Sequence, residues 1–154
     1  MGSNQCNDYG TDICFYQYMP NDIQVKVSKA YPQYTEKQLH QFITVIAKCR
    51  NVCAHGERLF DFHTTDMIPD TLLHSKLGIT RKKGLYQNGK KDLFAVVIAL
   101  RYLIPNEEFK MFRKNLSLLI KDVLKNDPHL TEDQLLKEMG FPKELGKNYA
   151  NNKK

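Results

Sequence analysis

Residues 35–60 read TEKQLHQFITVIAKCRNVCAHGERLF, and this stretch decides the fold. Thr35-Glu36-Lys37-Gln38 is a capping-box pattern: the Thr hydroxyl and the Gln amide can satisfy backbone donors that have no partner in a first helical turn. A helix is expected to start there. From Phe42 onward the apolar residues Phe42, Val45, Ile46, Cys49, Val52, Cys53 and Phe60 recur at three- and four-residue spacing, the signature of one buried helical face. At about 100° per residue, Arg50, Asn51, Ala54, His55 and Arg58 gather on the opposite arc, with His55 about 140° from Arg50. The helix therefore has a core side and a wet side that carries two arginines, an asparagine and a histidine.

Helical patterning continues on both sides. Leu93 to Leu103 is apolar almost all round, which in a water-soluble chain means a central helix packed on several sides, and Pro105 ends it. Asn106 is the expected N-cap of the next helix, whose Phe109, Phe112, Leu116, Leu119, Ile120 and Val123 keep helical spacing until Asn126-Asp127-Pro128. Thr131-Glu132-Asp133-Gln134 repeats the capping-box pattern and opens a short helix through Met139, with Gly140 where helices commonly end. A further helix is expected near Asp22 to Ala30. Sustained two-residue alternation is missing, and Val25 and Val27 alone cannot make a sheet. The fold class read from this pattern is an all-α bundle with a long irregular connection from about Phe62 to Asn88.

The chain has 154 residues, the size of one ordinary domain. Residues 1–146 are expected to form it, with 147–154 as a flexible basic tail. Hydrophobic residues at 42% and charged residues at 26% match globular averages and argue against a disordered or fibrous chain. An excess of 23 Lys and Arg over 17 Asp and Glu gives a net charge of +6, which favours polyanionic partners, nucleic acid among them. The longest apolar run, Leu93 to Leu100, is far short of the roughly 20 residues a spanning helix needs, so no membrane association is expected. The amino-terminal MGSNQCNDYG has neither the basic start nor the apolar stretch of a secretion signal, and a cytoplasmic protein is expected. Cys6, Cys14, Cys49 and Cys53 form no C-x-x-C pair, and Cys49 and Cys53 read as core packing. His63 and His74 with Asp61, Asp66 or Asp70 match no metal-site spacing, and His40 and His129 read as surface residues. With no glycine-rich phosphate cradle and no serine nucleophile motif either, no cofactor is expected.

Two features carry chemistry. On the wet arc of the first helix, guanidinium groups can grip a phosphate through paired hydrogen bonds and an imidazole can exchange a proton near neutral pH. Farther along, Arg81-Lys82-Lys83-Gly84-Leu85-Tyr86-Gln87-Asn88-Gly89-Lys90-Lys91 holds five basic side chains, no acid and one aromatic. Arg81, Lys82, Lys83, Lys90 and Lys91 can follow an RNA backbone while Tyr86 stacks on a base; a solvated loop is the competing reading. The aromatic residues of Tyr9 to Tyr18 read as a packing or dimer surface.

The string Arg50-Asn51-Val52-Cys53-Ala54-His55, continuing to Arg58-Leu59-Phe60, resembles the Arg-Asn-x-x-x-His motif of HEPN-domain ribonucleases. It is closer still to the R-N-x-C-A-H-x-x-R-L segment of the Abi-like abortive-infection proteins of bacteria. Aromatic-rich Tyr9 to Met19, the apolar Leu93 to Leu103 and the ending Leu135 to Pro142 (LLKEMGFP) are similar to that family too. Its members are often much longer, so a short form or a fragment without an amino-terminal portion is expected. The chain departs from the family pattern in detail: Gly56 stands where a second histidine is usual, and Phe60-Asp61 replaces Trp-Asn.

The resemblance implies a HEPN-like helical bundle and a metal-independent endoribonuclease of an anti-phage or toxin-type system. In that reading His55 moves a proton, Arg50 stabilises phosphate charge, Asn51 orients the site and Arg58 helps hold the substrate. It also implies a homodimer whose two motifs meet in one cleft, with RNA as substrate and an antitoxin or other regulatory partner. Two alternatives from other classes are a non-catalytic RNA-binding or regulatory module and a structural dimerisation domain.

Overall fold

The structure, a computed structural model, describes residues 18–142. In chain order it comprises α1 (Asn21–Lys29), α2 (Glu36–Ala54), α3 (Leu72–Lys76), the strands β1 (Arg81–Lys82) and β2 (Leu85–Tyr86), α4 (Leu93–Leu103), α5 (Asn106–Asn126) and α6 (Glu132–Glu138). The fold is all-α: among the described residues the strand structure is confined to one two-stranded hairpin. Most of the aromatic stretch Tyr9 to Met19, and the tail 147–154, lie outside the described residues.

Both capping boxes form. Thr35 Oγ1 accepts from Gln38 N at 3.3 Å while Gln38 Oε1 accepts from Thr35 N at 3.0 Å, and Thr131 with Gln134 repeats the pair at 3.3 and 2.9 Å. At α5, Pro105 rather than Asn106 takes the N-cap position, and Asn106 is the first helical residue. Its pre-set φ of −56° lets proline lead into the helix with no donor to satisfy.

Helix α4 is the centre. Leu93 to Ala99 are all buried, and α2 packs against it more extensively than any other pair of elements. Phe42, Val45 and Cys49 of α2 share one buried core with Leu93 to Ala99, and they belong to the face that the apolar spacing marks out. Burying each of these larger side chains contributes about 1.5–3 kcal/mol, enough in aggregate to fix the α2–α4 pairing. Asp92 caps α4: its carboxylate accepts from Ala95 N at 2.9 Å and from Gly89 N at 2.9 Å.

The connection from Phe62 to Asn88 is largely irregular, as expected, and it also contains short elements that the pattern did not mark. It holds α3 and the hairpin, in which Arg81 pairs with Tyr86 and Lys82 with Leu85 around a two-residue turn at Lys83 and Gly84. Both turn residues have positive φ, 52° and 81°, the sense that matches strand twist. His74 pins the hairpin to the body. It is fully buried, stacks on Tyr86 at 4.7 Å, and lies 2.8 Å from the Gly89 carbonyl through Nε2. Its Nδ1 accepts from Thr71 N at 3.1 Å, so the arrangement fits a neutral ring protonated on Nε2, which donates to Gly89.

Candidate functional site

Helix α2 delivers Arg50 and Asn51 in its last turns and His55 as its C-cap. Arg50 and His55 are exposed and Asn51 is half-buried, so the three groups sit at one solvent-facing end of the helix. Arg50 donates from a guanidinium nitrogen to Asn51 Oδ1 at 3.4 Å, a long contact that leaves most of its donor fork available to a ligand.

The helix stops at this point because of Gly56. With φ at +66° it takes the left-handed position beyond the C-cap, Gly56 N donates to Cys53 O at 3.1 Å, and Glu57 N donates to Val52 O at 3.1 Å. That pair of hydrogen bonds is the Schellman termination, and glycine is the residue that enters it without side-chain strain. The sequence pattern carried the helical arc on to Arg58 and Phe60; the structure places both outside the helix. Arg58 instead lies 3.6 Å from Asp61 and 5.8 Å from the centre of the Phe60 ring. Cys53, expected in the core, is exposed, whereas Cys49 is buried and its thiol is pushed up to about 12, first by burial.

A helix carboxyl end carries partial negative charge, which disfavours a phosphate. Binding one here relies on the arginines, and with Arg58 engaged by Asp61 a single copy offers Arg50 as its less committed guanidinium. Arg50 and His55 also remain about 140° apart around the helix axis, so they face different directions.

The basic stretch divides into two groups. Lys82, Lys83 and Lys91 are exposed. Lys90 is buried, 7% exposed, with Nζ donating to the Ile68 carbonyl and to Asp70 at 2.8 Å. Tyr86 is buried too: its ring stacks on His74, the Arg81 guanidinium lies 4.0 Å from its centre, and its hydroxyl is 2.9 Å from Ser75 Oγ. Arg81 donates to Asp70 at 2.9 Å. Lys90 and Tyr86 are thus committed to holding the hairpin in place, and Asp70 gathers Arg81 and Lys90. The hydrogen bond from Lys90 holds the Asp70 carboxyl below the usual carboxylate range, against a smaller opposing effect of burial. Sequence reasoning missed this role of Asp70, since eleven and twenty residues separate it from its partners. Burial is what separates structural from available lysines, and composition carries no signal of it.

No helix among the described residues is long and apolar enough to cross a membrane. No curated protein and no solved structure matches the chain. Residues 5–61, a segment that spans α1, α2 and the whole Arg50–Arg58 motif, match the family described as Abi-like protein.

Proposed function

We propose that the protein is a metal-independent endoribonuclease of an abortive-infection or toxin-type system, acting through Arg50, Asn51 and His55 on RNA held between two copies of the chain. One observation carries this reading: the Arg-Asn-x-x-x-His string lies inside the Abi-like segment and stands at a solvent-facing helix end, with both Arg50 and His55 exposed. In the reaction His55 takes the proton of a ribose 2′-hydroxyl or returns one to the leaving 5′-oxygen. The 2′-oxygen attacks the adjacent phosphorus, and the bond to the 5′-oxygen breaks, leaving a cyclic phosphate and a 5′-hydroxyl. Arg50 stabilises the charge that builds on the phosphate, and Asn51 orients the Arg50 fork. Two copies about a two-fold axis supply the convergence that one helix, with Arg50 and His55 facing apart, does not. Exposed Lys82, Lys83 and Lys91 add sequence-independent attraction for the RNA backbone.

The test is incubation of the purified chain with bacterial RNA in EDTA, beside Arg50→Ala and His55→Ala variants of equal fold and oligomeric state. Cleavage by the unmodified chain, reduced about 10²–10⁴-fold in each variant, supports the proposal. Equal cleavage by all three refutes the assigned residues. The Arg58–Asp61 pair favours one alternative, a non-catalytic RNA-binding module: salt-sensitive binding with no cleavage by any preparation establishes that reading instead.

A further inference from the structure

At the opposite end of α2 from His55, two clefts adjoin. The larger, about 510 Å³, lies between the Gln33–Tyr34 lead-in to α2, helix α3 and the junction of α4 with α5. The smaller, about 370 Å³, continues toward Pro69 and shares Gln33, Tyr34, Leu72 and Tyr102 with it. The nineteen residues of α2 run from this region to Ala54, about 27 Å at 1.5 Å per residue, so it is a different place on the molecule from the helix end at His55.

The lining of the larger cleft has a consistent chemistry. Lys76 and Arg101 both border it, and no carboxylate does. Lys76 is in no ion pair among the described residues, and Arg101 lies 5.4 Å from the centre of the Phe109 ring and close enough to Tyr34 to act on it electrostatically. Tyr34 is held edge-on by Phe42 at 5.3 Å and by Tyr102 at 5.6 Å, and neither contact is a parallel stack. Tyr102 is fixed in turn through its hydroxyl, which accepts from Leu73 N at 3.2 Å. Two positioned aromatic rings, apolar Leu72 and Ile104, and two cations line a cleft of a volume typical of ligand sites, so apolar and anion-binding groups border the same space.

We infer that this cleft binds a phosphorylated nucleoside, with the base against Tyr34, Tyr102 and Leu72 and the phosphate on Lys76 and Arg101. The amides of Gln33 and Asn106, also in the lining, supply donors and acceptors for the base or sugar. An inorganic anion would leave the aromatic and apolar walls unused, and an uncharged nucleoside would leave the cations unused. The same chemistry is offered by a free mononucleotide and by the 5′-phosphorylated end of an RNA strand.

Isothermal titration calorimetry on the full chain tests the inference, with the four nucleoside 5′-monophosphates, the matching nucleosides, inorganic phosphate, and short RNA oligomers with and without a 5′-phosphate. A nucleotide is expected to bind with a Kd below about 1 mM, and phosphate or nucleoside at least about tenfold more weakly. Lys76→Glu and Leu72→Glu should each weaken nucleotide binding by about tenfold or more. Leu72 is 74% exposed at the first position of α3, where an acid suits the helix, so this variant adds repulsion without removing packing. Melting curves check that both variants stay folded. Lys76-dependent binding confined to the 5′-phosphorylated oligomer identifies the strand end as the ligand; binding of free nucleotides identifies the mononucleotide. Inorganic phosphate binding as tightly as nucleotides, variants binding as tightly as the unmodified chain, or no nucleotide or oligomer binding in a Lys76-dependent way overturns the inference. Loss of RNA cleavage in Arg50→Ala or His55→Ala bears on the ribonuclease reading, and loss of nucleotide binding in Lys76→Glu bears on this inference, so the two failures are told apart.

Discussion

Gly140 and Gly56 both lie just past a helix end at positive φ, +78° and +66°, yet replacing each with alanine should have very different consequences. The left-handed backbone disfavours any Cβ by about 1–2 kcal/mol, and this cost is common to the two sites. At Gly56 nothing lies within 4 Å of the added methyl, so the backbone strain is the whole effect. At Gly140 the new carbon would fall 2.4 Å from Asp92 Cγ and 2.6 Å from Asp92 Oδ2. Asp92 must then move, and it is the N-cap of the central helix and the acceptor for Gly89 N. Losing the cap costs about 0.5–2 kcal/mol, and leaving a buried backbone donor unpaired about 1–3 kcal/mol. Gly140→Ala is therefore expected to lower stability by about 1.5–5 kcal/mol more than Gly56→Ala. Urea unfolding followed by far-UV circular dichroism measures the difference, provided the two variants share the slope of the unmodified chain. Equal losses, to within about 0.5 kcal/mol, would show that Asp92 yields without disturbing α4, and the account of how that helix is anchored would fail.

Burial holds the His74 imidazole below the ordinary histidine range, so the unfolded chain takes up its proton first as pH falls; stability should be level above about pH 6.5 and decline below it, and His74→Gln should flatten that part of a stability–pH profile. If the profile keeps its slope in the variant, another group is responsible. Replacing Lys82, Lys83 and Lys91 together with alanine should weaken RNA binding and make the slope of log Kd against log salt shallower by about 0.7 for each phosphate no longer neutralised, with little change in melting temperature. Lys90→Ala should do the reverse, lowering the melting temperature because Asp70 and the Ile68 carbonyl lose their buried partner. Thiol labelling of the native protein, mapped by peptide mass spectrometry, should modify exposed Cys53 and spare Cys49, whose thiol burial pushes up to about 12; labelling of Cys49 at a comparable rate would mean that α2 opens locally.

Much of the helical framework was legible because it rests on signals only three or four residues apart. Thr35 with Gln38 and Thr131 with Gln134 announce helix starts, and Phe42, Val45 and Cys49 mark the face that α4 covers. The short elements between Phe62 and Asn88 were not legible in the same way. Their placement comes from Lys90 reaching Asp70 across twenty residues and from His74 reaching Gly89 across fifteen, links that leave no periodic trace. The hairpin strands are two residues each, too short for alternation to register. For the same reason the basic run read as one surface, although the side chains of Tyr86 and Lys90 are buried.

At the motif the sequence pattern and the structure part at a single residue. The spacing of Arg50, Ala54 and Arg58 describes a continuous helical edge, and only a helix running past residue 58 would place both arginines on it. Gly56 ends the helix after His55, and the freed segment brings Arg58 to Asp61. This exposed pair is worth little in stability, so a phosphate of higher charge density can displace Asp61 at small cost. Under the ribonuclease proposal, Arg58 is a guanidinium held in reserve beside the site rather than one built into it. In a dimeric arrangement two Arg50 side chains would supply the fixed positive charge, and the two Arg58 side chains would join only as substrate arrived. Under the ribonuclease proposal Gly56 and Asp61 act together: one releases Arg58 from the helix, and the other occupies it until a phosphate competes.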